Sequence, residues 1–234
     1  IRQQKLNSSG AASIIAVAVP HFMFNINSGF DAQWQQAKTD LNLNKSFKCG
    51  NQRTWQTGAH ITPKFFLHYG QRFQWLTYVP TGFEYYTSIE GNWEYDKIFF
   101  SFKPYTNITF KPSQRLTLSL TSACDESMPA PLSLIVQRRY IDYRTSISNP
   151  FHLESKINRT VKTVLNASYT SVLDMLFSGM TLTHVYSHNS FSNGYEVTDD
   201  IIEYIKLPYA TNCNIWQGDL TFSKGFFKWN SKIS

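Results

Sequence analysis

The run from Trp93 to Pro104 constrains the fold of this chain more than any other segment. Its alternate residues differ in character: Tyr95, Lys97, Phe99, Ser101 and Lys103 form one set, and Asp96, Ile98, Phe100 and Phe102 form the other. Successive side chains of a β-strand point to opposite faces of the sheet. The pattern therefore predicts a strand that packs its apolar row against a core and ends at the proline.

Composition favours strands in the rest of the chain as well. Among 234 residues there are 18 Phe and 13 Tyr, and aromatic residues make up 16% of the total. Aromatic residues are enriched in strands. The longest apolar run, Ile14 to Val19, is too short for a membrane-spanning helix. We expect a soluble all-β protein with no membrane insertion.

The order of predicted elements indicates one domain over residues 1–234. Lys64–Tyr69 and Phe73–Val79 are predicted to form a hairpin, and Asp31–Leu43 has the composition of a short helix or an ordered loop. A surface loop is expected at Ala123–Pro129. Many strands without helical crossovers predict a single jelly-roll β-sandwich of about eight strands with long surface loops.

Like charges are grouped along the chain. Residues 97–124 contain four Lys or Arg and no carboxylate, whereas residues 163–205 contain five Asp or Glu and no Lys or Arg. This grouping predicts two surfaces of opposite charge. The three cysteines, Cys49, Cys124 and Cys213, are widely spaced and odd in number, so we expect free thiols.

Three segments resemble the coat proteins of circovirus-like viruses, which carry small circular single-stranded DNA genomes. The run from Trp93 to Pro104 is similar to an early strand of those coats. The carboxyl segment from Asn214 to Trp229 is similar to their last strand, with its alternating aromatic and basic residues, and Arg138 to Tyr143 is similar to a middle strand followed by aspartate. The family's arginine-rich arm is not visible, although Ile1 leads directly into basic residues and such an arm can precede it.

The resemblance implies a capsid protein that assembles into a T=1 icosahedral shell of sixty copies around single-stranded nucleic acid, which is DNA in that family. It also implies location in the virion, in the host nucleus during assembly, and contact with a host receptor or glycan. Two alternatives remain open. One is a secreted or surface lectin-like β-sandwich, and the other is a jelly-roll coat of a parvovirus-like or picorna-like virus.

Cations next to aromatic rings are the best candidates for nucleic-acid contacts, because phosphates need positive charge and unpaired bases stack on rings. The candidates fall in three clusters. They are Lys103, Tyr105, Arg138, Arg139, Lys224, Lys228 and Trp229.

Enzymatic chemistry is not expected, because none of the common nucleophile, phosphate-binding or dinucleotide motifs occurs. Cys49 has no recognisable catalytic context. His184 and His188 share a strand face but have no evident third metal ligand. The acidic residues Glu196, Asp199, Asp200 and Glu203 lack the glycine spacing of a calcium loop, so we interpret them as a solvated surface. No catalytic residue, metal site or cofactor is predicted.

Overall fold

The computed structural model describes residues 2–38, 51–90, 93–127, 139–140, 144–148, 157–198, 201–226 and 231–233. These residues form strands and turns, with no helix among them, so the all-β prediction is confirmed. The strands are β1 (Arg2–Val19), β2 (Phe22–Lys38), β3 (Asn51–Tyr69), β4 (Phe73–Tyr78), β5 (Thr81–Glu90), β6 (Trp93–Phe102), β7 (Tyr105–Phe110), β8 (Leu116–Ser127), β9 (Arg139–Tyr140), β10 (Thr145–Ser148), β11 (Asn158–Ser171), β12 (Leu176–Asn189), β13 (Ser192–Thr198), β14 (Ile201–Leu207), β15 (Thr211–Phe226) and β16 (Ser231–Ile233).

Twelve of these strands form one antiparallel sheet in the order β1-β2-β3-β4-β7-β8-β11-β12-β15-β16, with β5 and β6 attached beside β3. The pairing follows the chain from neighbour to neighbour. β4 and β5 together pair along β3, and β6 and β7 together pair along β5 and β4. β4 with β5, and β6 with β7, thus each take the place of one long strand that is interrupted once. A jelly-roll sandwich of eight strands is not confirmed, because its Greek-key connections are replaced here by an up-and-down order.

Three prolines mark the interruptions. Pro63 lies within β3, Pro80 separates β4 from β5, and Pro104 separates β6 from β7. Proline has no N–H to donate to a ladder. Its carbonyl still accepts: Val79 N donates to Pro63 O at 3.0 Å, Lys103 N to Pro80 O at 2.9 Å and Cys124 N to Pro104 O at 2.9 Å. The sheet therefore continues across the line of prolines.

The two ends of the large sheet are connected differently. At one end the strands are joined by two to five residues, at 20–21, 70–72, 111–115, 172–175 and 227–230. The first tight turn after β3 uses Gly70, whose φ of 55° suits glycine. The other end carries the two-residue connection 91–92 and the longer connections 39–50, 128–157 and 190–210. We call these the turn end and the loop end.

A second sheet is built from the connections at the loop end. Its four strands have the order β13-β14-β10-β9. β13 pairs antiparallel with β14, and β10 pairs parallel with β14. The loop end therefore presents ordered structure of its own.

Two local predictions are wrong and one is confirmed. Residues 31–38 of the segment predicted to be a short helix or an ordered loop belong to β2, where Trp34 faces Trp55 across the pair; strand neighbours on both sides override the helical composition. Residues 123–127 of the predicted loop belong to β8. The predicted hairpin of β3 and β4 is present, with Tyr69 paired to Phe73.

The strand predicted from Trp93 exists, but its burial is the reverse of the prediction. Ile98 and Phe100, assigned to a core, are 66% and 53% exposed. Phe99 on the other face is 6% exposed and packs with Tyr86, Tyr95 and Ile157 in a small core near the loop end. The apolar row of β6 is therefore turned away from the interior of the described protein.

Candidate functional site: a two-faced sheet

Strand register sorts the residues of the large sheet into rows of uniform character. One row crosses eight strands from β2 to β15 and is almost wholly apolar. Its members are Phe22, Leu67, Trp75, Ile108, Leu120, Leu165, Leu182 and Gly218. We call the side of the sheet that carries this row the apolar face.

The neighbouring row, which lies one residue nearer the turn end on each strand, is polar. It consists of His68, Gln74, Thr109, Ser119, Asn166, Thr181 and Asp219. Because neighbouring residues in a strand point to opposite sides, this row lies on the reverse side, which we call the polar face. Thr181 Oγ1 donates to Asn166 Oδ1 at 2.9 Å, and Gln56 Nε2 donates to Glu84 Oε2 at 3.1 Å. The polar face is thus a hydrogen-bonded surface.

The apolar face is open. Nearly every exposed large apolar residue of the described sheet lies on it, and Phe177 and Ile215 are the exceptions. Examples on four strands are Phe65, Phe83, Met180 and Leu220, the last with 83% of its surface exposed. Water-soluble monomers rarely expose contiguous apolar patches of more than a few hundred square ångströms. The apolar face needs an apolar environment.

The apolar face changes character toward the loop end. Trp216 stacks on His184 with ring centroids 4.2 Å apart, and His184 lies two residues nearer the loop end than Leu182 on β12. Four residues beyond His184, His188 Nδ1 lies 2.7 Å from Asn212 Oδ1. Arg159 on β11 is the cross-strand partner of His188. Aromatic and then polar or charged groups therefore follow the apolar rows in order.

A buried carboxylate supports this end of the sheet. Glu126 on β8 is 5% exposed. Its Oε1 accepts from Arg159 Nε at 2.9 Å and Nη2 at 2.6 Å, and its Oε2 accepts from the backbone N–H of Phe102 at 2.8 Å. One side chain therefore ties β8, β11 and β6 together where β6 and β8 separate.

The candidate nucleic-acid residues that the structure describes are placed far apart. Lys103 Nζ lies 3.5 Å from Glu84 Oε1, and the Tyr105 ring stacks on Tyr78 at 4.5 Å. Lys224, at the turn end of β15, donates through Nζ to Asp174 O at 2.6 Å. The side chains of Arg138, Arg139, Lys228 and Trp229 lie outside the described residues. What all seven side chains bind stays a prediction.

Other candidate groups have simple surroundings. Cys124 and Cys213 are free, and Cys49 lies outside the described residues. Within the described side chains, no three His, Cys, Asp or Glu lie close enough together to hold a metal ion. The described part of the chain contains no helix long and apolar enough to cross a membrane. The predicted absence of catalysis stays a prediction.

The fold is similar to two solved structures over nearly the whole chain. The copper transporter OprC matches with a TM-score of 0.60 and 10% identity, covering 95% of this chain and 35% of its own. The hemophore receptor HasR of Serratia marcescens, in complex with its hemophore HasA and heme, matches with a TM-score of 0.60 and 11% identity, covering 94% and 39%. No protein-family model and no curated protein matches the chain. The chain therefore spans little more than a third of either neighbour, and the likeness concerns the fold.

These neighbours overturn the capsid prediction, because one is a transporter, the other is a receptor, and neither is a coat protein. The predicted circovirus-like identity, the shell of sixty copies, the packaged nucleic acid and the location in virion and nucleus are wrong. Membrane insertion is a separate question, because a likeness at 10% and 11% identity concerns the fold. Strands with one apolar and one polar row occur both in a coat-protein sandwich and in the large sheet of this chain, and the resemblance depended on such strands.

The feature that sequence analysis placed wrongly is the set of apolar rows. Their alternation is visible in the sequence, for example at Leu116, Leu118 and Leu120. The prediction error was to assign the apolar row to a protein core. The signal that could have corrected it is the alternation of short and long connections between the long strands before β4 and after β7.

Proposed function

We propose that this chain forms part of the membrane-spanning sheet of an outer-membrane receptor or transporter. The observation that carries the proposal is the pair of rows described above, with lipid chains contacting the apolar face and the polar face lining the interior. Membrane-spanning antiparallel sheets alternate apolar and polar residues in this way, with short turns at one end and longer loops at the other. The similarity in fold to a copper transporter and a hemophore receptor supports the same role.

The height of the apolar region agrees with this role. On β12 this region, counted up to the aromatic residues and with Ser178 and His184 among its members, extends from Leu176 to Tyr186, which at about 3.3 Å per residue is about 33 Å along the strand. A strand tilted by about 45° then rises about 23 Å, close to the roughly 25 Å apolar band of such sheets. Trp216 and Tyr186 at its upper limit match the aromatic residues that favour the headgroup region.

The edges of the sheet set a further condition. A backbone N–H or C=O in lipid must be hydrogen-bonded within the protein. β1 and β16 are the ends of the strand order, so in a membrane we expect both to pair with other strands. Since the chain covers only 35% and 39% of the two neighbours, the complete transport activity is part of the proposal. The cargo is left open.

Flotation with phospholipid vesicles tests the proposal. The chain is folded from denaturant into preformed vesicles, washed at alkaline pH and centrifuged through a density gradient, followed by limited trypsin digestion. We expect the protein to float with the vesicles. Trypsin should cut at the loop end, after the exposed Arg144, while Lys162 within β11 of the large sheet stays protected by its ladder. A monodisperse protein that stays in buffer without detergent and does not float would contradict the proposal.

A further inference from the structure

The turn end of the large sheet carries a concentration of positive charge. Its described connections, taken together with residues 224–226 of β15, contain four cations and one carboxylate, a net charge of +3 with histidine neutral. The carboxylate is Asp174. The cations, which we call the basic rim, are Arg72, Lys111, Arg115 and Lys224. A surface with so uneven a charge attracts anionic partners.

Backbone hydrogen bonds join the connections that carry the basic rim. The N–H of Lys111 donates to the carbonyl oxygen of Arg72 at 2.7 Å, which links the β7–β8 connection to the β3–β4 turn. The carbonyl oxygen of Arg115 accepts from the N–H of Thr170 at 2.8 Å, which links the same connection to β11. The rim therefore follows the turn end of the sheet continuously from one connection to the next.

Asp174 brings two cations of the rim to the β11–β12 turn. Its Oδ2 lies 3.7 Å from Arg115 Nη1, and its backbone oxygen accepts from Lys224 Nζ at 2.6 Å. The buried Ser171 fixes the carboxylate by donating through Oγ to the same Oδ2 at 2.6 Å. The side chains of Arg115 and Asp174 are 49% and 56% exposed. One carboxylate therefore faces two cations at a position that an outside anion can reach.

Aromatic rings separate the apolar rows from the basic rim. Tyr69, Phe110 and Phe222 belong to the apolar face near its turn end and are 74%, 44% and 58% exposed. Lys111 directly follows Phe110, and Lys224 is the next residue after Phe222 on the same side of β15. Aromatic rings favour the headgroup region, and a lysine stem lies along apolar surface while its charge reaches outward. The order apolar, aromatic, cationic matches the layers of a lipid leaflet.

We propose that the basic rim binds the phosphate groups of anionic phospholipids in the leaflet at the turn end. The inference rests on the proposed function, because it requires the apolar face to contact lipid. Phosphate oxygens are strong acceptors for Lys and Arg, and clusters of about four to eight such residues beside a membrane are typical of binding to anionic lipids. A phospholipid also supplies acyl chains for the neighbouring apolar face, which a free phosphate ion lacks.

Folding of the full chain into two kinds of vesicle tests the basic rim. One kind is phosphatidylcholine alone, and the other is an equal mixture of phosphatidylcholine and the anionic phosphatidylglycerol. Flotation reports insertion, and urea unfolding gives the folding equilibrium constant in each lipid. We expect flotation with both kinds and a larger equilibrium constant in the anionic vesicles, with about fivefold of the gain coming from each rim cation. The gain should largely disappear in about 1 M salt, where screening acts within roughly 3 Å.

Three variants separate the basic rim from general charge effects. K111Q should lower the gain in anionic vesicles by about fivefold. D174N should increase the gain, because it removes negative charge from the rim while its amide oxygen still accepts from Ser171. A purely structural role of Asp174 would instead lower stability equally in both kinds of vesicle. Lys162→Gln, at an exposed position on the polar face of β11, is the matched control for K111Q and should leave the gain unchanged.

The outcomes distinguish this inference from the proposed function. A chain that floats with neither kind of vesicle would overturn both. A chain that floats with both kinds and has equal folding equilibrium constants in them would overturn the basic rim alone. Equal losses in K111Q and K162Q would also overturn it, because the gain would then come from the net charge of the chain. A gain that inorganic phosphate reproduces in phosphatidylcholine vesicles would assign the rim to free anions and overturn the assignment to lipid.

Discussion

A lysine at Leu220 should affect stability in lipid and not in water. Leu220 lies on β15 in the middle of the apolar face, beside Met180, and 83% of its surface is exposed. In water, a change at so exposed a position costs within about 0.5 kcal/mol. On the lipid face near the bilayer midplane, Lys costs about 2–4 kcal/mol. The expected loss therefore corresponds to roughly a 30- to 700-fold lower folding equilibrium constant.

The assay is reversible urea unfolding of the chain inserted in phospholipid vesicles, followed by tryptophan fluorescence. Gln217→Lys is the matched control, because Gln217 is exposed on the polar face of the same strand. It should change the free energy of unfolding by no more than about 0.5 kcal/mol. Equal effects of L220K and Q217K, or a larger effect of Q217K, would refute the assignment of the apolar face to lipid.

Two further variants test the supports of the sheet. Glu126→Ala should lower the free energy of unfolding by about 2 kcal/mol, because Arg159 and the Phe102 N–H lose a charged partner; the exposed Glu94→Ala is its control, and similar urea midpoints for the two would argue against the role of Glu126. Gly82→Ala should cost about 1–3 kcal/mol, since a Cβ there would overlap the backbone oxygen of Ala59. Gly218→Ala has its nearest atom at 4.0 Å and should stay within about 0.5 kcal/mol, so a cost at Gly218 matching that at Gly82 would contradict the contact argument.

Sequence analysis predicted the class of structure and several strands correctly. The alternation around Phe99 and the glycine between β3 and β4 are local signals, and local signals determine which residues form strands and tight turns. The short helix or ordered loop expected at Asp31–Leu43 is a strand over its described part, residues 31–38, because those residues pair with β1 and β3. Pairing with distant strands is not encoded in local composition.

The environment of the apolar face could not be read from alternation alone. The row Ile98, Phe100 and Phe102 has the same pattern whether it packs on a protein core or contacts lipid. The distinction depends on whether neighbouring strands continue the apolar surface. Such a continuation is seen at Leu67, Trp75, Ile108 and Leu120, which lie side by side on β3, β4, β7 and β8. The pairing of β10 with β14 was equally hidden, because this parallel pair joins segments more than fifty residues apart.

Residue-by-residue accessibility along β12 tests the central claim most directly. Single cysteines from position 177 to position 186, in a background without the three native cysteines, carry a nitroxide label in vesicles. The collision rates of the label with oxygen, which concentrates in lipid, and with a water-soluble nickel complex are then compared. The account predicts a period of two, with oxygen favoured at 180 and 182 and the nickel complex at 181 and 183. A profile without alternation, or one with the two reagents exchanged, would contradict it.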